Sequence, residues 1–149
     1  MTKKLLVSPK IWLNLQLCKS TYNVFKAEAR FEEPLPEFDT RYPNRLESIL
    51  GSVEQTFDGQ LLYPTVAEAA AAYFQKIICE HPFVNGNKRT AVLYTDVFLF
   101  LNGFQWKLPY QDMYYLAVRV ADTDKEKRLS ETKIRHTCLK ILNDFAEPI

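Results

Sequence analysis

The chain has 149 residues, of which 25% are charged and 47% hydrophobic, a composition typical of one globular domain over residues 1–149. Its formal net charge of +1 gives no general attraction to nucleic acid, and no apolar run approaches the roughly 18 residues that a membrane span needs. The three cysteines, Cys18, Cys79 and Cys138, are an odd number without close pairing, which favours free thiols. We therefore expect a cytoplasmic protein with no membrane contact and no direct nucleic-acid partner.

The first predicted helix opens at Ser8-Pro9, because serine is a good N-cap and proline suits the first helical position. It should end near Arg30. Its core-facing stripe has alternating spacings of four and three residues and consists of Ile11, Leu15, Cys18, Tyr22, Phe25 and Ala29. Prolines in 31–44 exclude a regular helix, so a long surface connection is predicted there.

A second helix is predicted from about Arg45 to Gln55. Its inward side chains should be Leu46, Ile49, Leu50 and Val53. In the next segment, Thr56–Pro64, Asp58-Gly59 lies between apolar flanks, which is a strong signal for a β-hairpin. Because two such short strands are not a stable sheet by themselves, we expect a hairpin-like flap against a helical body.

A capping-box pattern at Thr65 and Glu68 predicts that a third helix begins there and leads to residue 81. The many alanines of this helix should allow a neighbour to pack closely. A fourth helix is predicted for Lys88–Leu101, because Asn102-Gly103 is a good helix stop.

Two further helices complete the predicted fold. One runs from about Gln111 to Ala121 and is followed by a charged turn at 122–128; the other starts at Ser130, a good N-cap. Their apolar residues are Tyr114, Tyr115, Val118 and Val120 on the first, and Ile134, Cys138, Ile141, Leu142 and Phe145 on the second. The predicted fold class is all-α, a helical bundle with a short β-hairpin flap and almost no strand.

A polar, turn-rich stretch, His81-Pro82-Phe83-Val84-Asn85-Gly86-Asn87-Lys88-Arg89-Thr90-Ala91, separates two strongly apolar segments. The first backbone N–H groups of the helix that follows have no intrahelical partner, and the helix dipole adds partial positive charge there. With Gly86 allowing close approach and Lys88 and Arg89 adding charge, this helix start is a candidate phosphate cradle. His81 is the side chain best suited to accept a proton near neutral pH.

The same residues also have ordinary structural explanations. Taken alone, His81 fits a structural histidine. Lys88 and Arg89 fit first-turn helix residues, although cations at that end oppose the helix dipole. Asn87 fits a helix cap, a role compatible with phosphate contact. Asn85 fits a turn former as well as it fits a metal ligand.

The motif resembles the signature of the Fic/Doc superfamily, and its Asn-Lys-Arg-Thr-Ala version is similar to the Doc (death-on-curing) branch, the toxins of toxin–antitoxin modules. Three other stretches look like Doc landmarks at the expected order and spacing: Asn44–Leu50, Leu62–Thr65 and Phe98–Gly103. The resemblance covers about Arg45 to Trp106. It implies an all-helical fold with a small flap over a nucleotide site.

The resemblance also implies roles for the motif residues. His81 would be the general base on a protein hydroxyl. Gly86 and Asn87 would form the anion hole, with Lys88 and Arg89 holding the phosphates of ATP.

Two structural parts would support these residues. Phe83 would anchor the motif loop in the core. The flap around Leu61, Leu62 and Tyr63 would align the target segment by strand-like pairing, as extended peptides pair with an exposed edge. For Tyr63 itself, a packing role is favoured over contact with the substrate.

The two branches of the superfamily differ in chemistry. The Fic branch transfers AMP and has glycine where this chain has Lys88, and arginine where it has Val92. Both differences are similar to Doc, whose members are phosphoryl transferases acting on translation elongation factor Tu. The resemblance therefore implies phosphoryl transfer from ATP, with AMP transfer as the alternative.

Asn85 departs from both branches, which have aspartate or glutamate at this position. That acid helps to hold Mg²⁺, a cation that prefers carboxylate and phosphate oxygens. Asn85 offers one neutral oxygen, which leaves three alternatives: weak Mg²⁺ binding through the nucleotide, another carboxylate ligand, or a degenerate binding module without catalysis.

The self-inhibitory pattern of many Fic proteins, Ser/Thr-x-x-x-Glu followed by Gly or Asn, does not occur in the sequence. By resemblance, inhibition would come from a separate antitoxin protein acting in trans.

Overall fold

Six helices make up most of the chain in the computed structural model, which describes residues 5–28, 35–38, 44–125 and 130–149. The helices are α1 (Leu15–Glu28), α2 (Arg45–Glu54), α3 (Val66–Glu80), α4 (Asn87–Leu101), α5 (Tyr110–Lys125) and α6 (Glu131–Phe145). Two short antiparallel strand pairs accompany them, so the predicted all-α fold with a small hairpin is confirmed. Within these described ranges, no helix is both long and apolar enough to cross a bilayer.

Helices α3 and α4 form an antiparallel hairpin at the centre of the fold, joined by residues 81–86. The side chains of residues 69–72, all alanine, are completely buried. Small side chains let helix backbones approach closely, and α3 packs against both α4 and α6. The α3–α4 hairpin therefore gives the connecting loop a rigid support on both sides.

The prediction that Ser8-Pro9 opens the first helix is wrong, because α1 begins only at Leu15. The backbone before it is held by the distant residue Asn102, whose Oδ1 accepts the N–H of Lys10 at 2.8 Å. This hydrogen bond joins residues 92 positions apart. Tertiary hydrogen bonding thus overrides a good local helix signal.

The predicted apolar stripe of α1 is confirmed only in part. Cys18 and Tyr22 are fully buried, whereas Ile11 and Leu15 are 46% and 37% exposed. The helix start lies near Asn14, whose Oδ1 accepts the N–H of Leu17 at 2.8 Å. Ala29, the end near Arg30 and most of the predicted 31–44 connection lie outside the described residues.

The second helix and the hairpin agree closely with the sequence predictions. The predicted inward side of α2 is buried. Strand β1 (Thr56–Phe57) pairs with β2 (Gln60–Leu61), and both turn residues, Asp58 and Gly59, have positive φ, of 54° and 78°. Positive φ at both central residues is the geometry that suits a two-residue hairpin turn.

The strand pair of β3 (Phe104–Trp106) with β4 (Ala146–Pro148) was not predicted. It joins the segment after α4 to the end of the chain. Helix α5 is also longer than expected, because residues 122–125 of the predicted charged turn are helical; residues 126–129 lie outside the described part. For α6, Ser130 Oγ accepts the N–H of Lys133 at 3.3 Å, which confirms the predicted cap.

Candidate functional site

The loop between α3 and α4 begins with a strained and exposed histidine. His81 follows the last residue of α3 and has φ 50° and ψ 62°, a left-handed conformation that is rare for residues other than glycine. Its side chain is exposed. An exposed imidazole in a fixed and costly conformation fits a residue that serves function rather than packing.

Phe83 anchors the loop in the core, which is the structural role the resemblance implies. Its ring is fully buried and stacks on Tyr22 with a centroid distance of 5.5 Å and an interplanar angle of 18°. The ring of Phe38 packs edge-on against both, with centroid distances of 5.3 Å to Tyr22 and 5.6 Å to Phe83. Because Phe83 is two residues from His81, this anchor limits how far the loop can move.

Asn87 braces the loop from inside. Its Oδ1 accepts the N–H of Phe83 at 2.9 Å, and its Nδ2 donates to the Phe83 carbonyl at 3.0 Å. The side chain is only 8% exposed. The predicted side-chain cap is therefore wrong, because Asn87 is already the first helical residue and its amide is committed to Phe83.

The N-cap of α4 is Gly86, with φ 76°. A Cβ at this position would lie 2.8 Å from Leu35 Cδ2, which is closer than carbon atoms approach. The positive φ thus favours glycine, and a Cβ here would also force the end of the Leu35 side chain to shift. Thr90 N–H donates to the Gly86 carbonyl, so the N–H groups of the three preceding helical residues lie in the first turn, where a helix offers them no partner.

Lys88 and Arg89 are half-buried residues of this first turn. The Arg89 side chain folds back over the turn, since its Nη2 lies 3.4 Å from the position of a Cβ on Gly86. Burial raises the pKa of the Tyr22 hydroxyl, and the Arg89 charge partly opposes that rise. Burial also raises the pKa of the Tyr110 hydroxyl, and the Arg89 charge again partly opposes the rise. The guanidinium therefore lies at the mouth of α4, where the phosphate-cradle hypothesis needs it.

The donor set that the described residues provide around the loop does not fit a protein-held Mg²⁺. Asn85 is exposed and has one neutral carbonyl oxygen. The carboxylate next to His81 in the sequence, Glu80, is already paired with Arg45 and Lys76. Among the described residues no cluster of three or more His, Cys, Asp or Glu side chains could hold a metal ion.

The hairpin lies at the opposite end of α3 from His81. Leu61 and Leu62 precede the N-terminus of α3, whereas His81 follows its C-terminus, and a helix of 15 residues is about 22 Å long. Tyr63 packs against the core, with its ring 5.4 Å from Arg135 Cζ on α6. The motif residues thus lie on one loop and the helix start that follows it, whereas the hairpin residues predicted to align the target lie at the other end of α3.

Sequence similarity assigns the chain to a protein family. The sequence profile of the Fic/DOC family matches residues 11–99, more than half of the chain. The chain belongs to the Fic/DOC family. Members of the Fic/DOC family are typically transferases that act on proteins. No curated protein matches the chain.

Two features of the candidate site were missed from the sequence. The double hydrogen bond of Asn87 is one; the signal available was an asparagine four residues after the buried Phe83. The other is the ion pair of Arg45 with Glu80, at 3.9 Å, which joins residues 35 positions apart and has no local signal.

Proposed function

We propose that this Fic/DOC protein is a Doc-like phosphotransferase, which transfers the γ-phosphoryl group of ATP to a hydroxyl of a protein. The observation that carries the proposal is the start of α4. It combines a glycine N-cap, three first-turn N–H groups and two cations, with no acid in that turn. Such a helix end suits a phosphate chain, because backbone donors, dipole and side-chain charge all favour an anion.

His81 supplies the proton acceptor in this proposal. Its exposed imidazole takes the proton of the target hydroxyl, whose oxygen attacks the γ-phosphorus as the bond to the β,γ-bridging oxygen breaks and ADP leaves. Lys88, Arg89 and the amides after Gly86 hold the phosphates. Phosphoryl transfer depends mainly on positioning and charge neutralisation, which is what this loop and helix end provide.

Lys88 favours phosphoryl over AMP transfer. A lysine side chain at this position fills space and adds charge at the helix start, where a glycine would leave room for the phosphate chain. The neutral Asn85 means that Mg²⁺, if it takes part, would be held by the phosphates of ATP rather than by a carboxylate of the loop.

The proposed target is a translation factor, with elongation factor Tu as the first candidate, and the proposed inhibitor is an antitoxin protein supplied in trans. Both follow from the likeness of 81–91 to Doc-type toxins. Co-expression with the neighbouring open reading frame should relieve toxicity; toxicity that persists would count against the antitoxin.

The test is ATP labelled on either the γ- or the α-phosphate, incubated with Mg²⁺ and cell lysate. Wild type should transfer the γ label to a protein, and His81→Ala should not. His136→Ala is the matched control, because His136 is the other histidine and lies exposed on α6. Transfer of the α label would instead identify an AMP transferase. No transfer, with a cellular phenotype unchanged by His81→Ala, would indicate a binding module.

A further inference from the structure

Glu80, the last residue of α3, carries its charge at an unfavourable place. Carboxylates are favoured at helix N-termini, whereas Glu80 lies among the unsatisfied carbonyl groups of a C-terminus. Two cations converge on it. Arg45 Nη1 lies 3.9 Å from Glu80 Oε1, and Lys76 Nζ lies 3.7 Å from Oε2. These three residues, Arg45, Lys76 and Glu80, are called the Glu80 cluster below.

Arg45 is also unfavourably placed within its own helix. It is the first residue of α2, so its cation lies at a helix N-terminus, where the dipole is positive. The contact with Glu80 therefore lets each charge offset the unfavourable helix dipole at the other, and it joins the start of α2 to the end of α3. Lys76, one turn before Glu80, adds a local pair within α3.

His81 directly follows the Glu80 cluster. Its left-handed backbone is costly for a residue with a Cβ, and such conformations persist only where the surroundings hold them. The loop is held on the other side by Phe83 and Asn87. Glu80 is the residue directly before His81, so the contacts of Glu80 act on the helix end from which His81 leaves.

We propose that the Glu80 cluster is a positioning device that holds the final turn of α3 and thereby the imidazole of His81. The inference rests on the proposed function, in which His81 accepts a proton. Arg45 and Glu80 touch no substrate and act through His81. Since the side chains of both are more than a third exposed, their pairing contributes little to global stability, so its loss should be seen mainly at His81.

The test is a double-mutant cycle on ATP-dependent transfer with Arg45→Met, Glu80→Gln and the double variant. Each single variant should lower kcat about tenfold with the KM for ATP unchanged, because misplacing a catalytic group slows chemistry more than binding. The double variant should lose no more than either single one, and Arg45→Lys should keep most activity. Lys140→Met is the matched control, since it breaks the exposed Lys140–Asp144 pair, 3.1 Å long, on α6.

Amide hydrogen exchange separates this inference from the proposed function. Exchange at residues 78–81 should be several-fold faster in Arg45→Met and Glu80→Gln, and unchanged in Lys140→Met. If wild type transfers no label, the proposed function fails and the exchange data alone decide the inference. Unchanged exchange at 78–81, additive losses of kcat in the cycle, or an equal loss in Lys140→Met would overturn it.

Discussion

The N-termini of α3 and α4 belong to the same helical hairpin but are built in opposite ways. At α3, Thr65 Oγ1 accepts the N–H of Glu68 at 3.1 Å, and Glu68 places an acid in the first turn. At α4, Gly86 provides no side-chain cap, and the first turn contains cations and no acid. The start of α3 is stabilised by its own sequence, whereas the start of α4 has no such stabilisation and, in the proposed function, binds the phosphates of ATP.

The largest expected effect is at His81, which begins the loop that leads from α3 into α4. His81→Ala should lower transfer by about 10²–10⁴-fold, the usual contribution of a positioned base. Stability should not fall, because the side chain is exposed. Labelled transfer and thermal unfolding measure the two effects. Equal activity of His81→Ala and the His136→Ala control would remove His81 from the mechanism.

Lys88→Glu would give α4 the first-turn acid that α3 already has. We expect ATP affinity to fall by tenfold or more, since a hydrogen bond to a charged group contributes about 1.5–3 kcal/mol. Stability should hold or rise, by about 0.3–1 kcal/mol, because an acid suits the helix dipole. Titration calorimetry with ATP measures the affinity, and urea unfolding measures the stability. Unchanged ATP affinity would mean that the phosphates do not bind here.

Asn87→Ala tests the brace that replaces a cap at α4. It leaves the N–H and carbonyl of Phe83 without their partner, so stability should fall by about 1–3 kcal/mol. Transfer should also fall, because the loop loses its fixed shape. Asn87→Asp, which keeps the acceptor for the Phe83 N–H, should lose less stability. Equal losses would indicate that the carbonyl contact alone carries the brace.

Thr65→Ala removes the cap of α3 and tests the other side of the comparison. Stability should fall by about 1 kcal/mol, the usual value of a helix N-cap. Transfer by the folded protein should be unchanged, because Thr65 lies at the end of α3 that is far from His81. A large loss of transfer would show that the two ends of α3 act together.

Asp96→Asn should give the smallest effect, seen in the pH dependence of stability. Burial raises the pKa of the Asp96 carboxyl on α4, and a hydrogen bond from the Trp106 backbone only partly opposes this. Ionisation therefore costs the folded state, so stability should fall as pH rises from about 3.9, the unfolded value, through the raised folded value. Urea unfolding across this range should show a flatter curve for Asp96→Asn. Identical curves would contradict the assignment.

Elements with local signals were predictable from the sequence. Thr65 with Glu68, Asp58-Gly59 and Ser130 each form their structure from neighbouring residues, and all three are confirmed. The start of α1 and the β3–β4 pair were not, because both depend on partners far along the chain. Local sequence signals therefore predict an element well, except where its backbone forms hydrogen bonds with residues far along the chain.

The candidate site follows the same division. The motif 81–91 was recognisable as a pattern, and the positions of Gly86 and Phe83 agree with it. Two other features could not be predicted, because they depend on contacts in three dimensions. They are the hydrogen bonds of the Asn87 side chain to Phe83 and the ion pair of Arg45 with Glu80. The hairpin was predicted correctly as a structure, while its distance from His81 emerges only from the length of α3.

The most direct test of the account is an NMR titration of the ¹⁵N-labelled protein with ATP. The backbone amides of residues 87–89 should shift saturably, because they line the proposed phosphate site, while those of residues 66–68 at the capped start of α3 should not. Saturable shifts confined to the start of α4 are the result expected. Shifts elsewhere, or none at residues 87–89 at saturating ATP, would contradict the claim that this helix end binds phosphate.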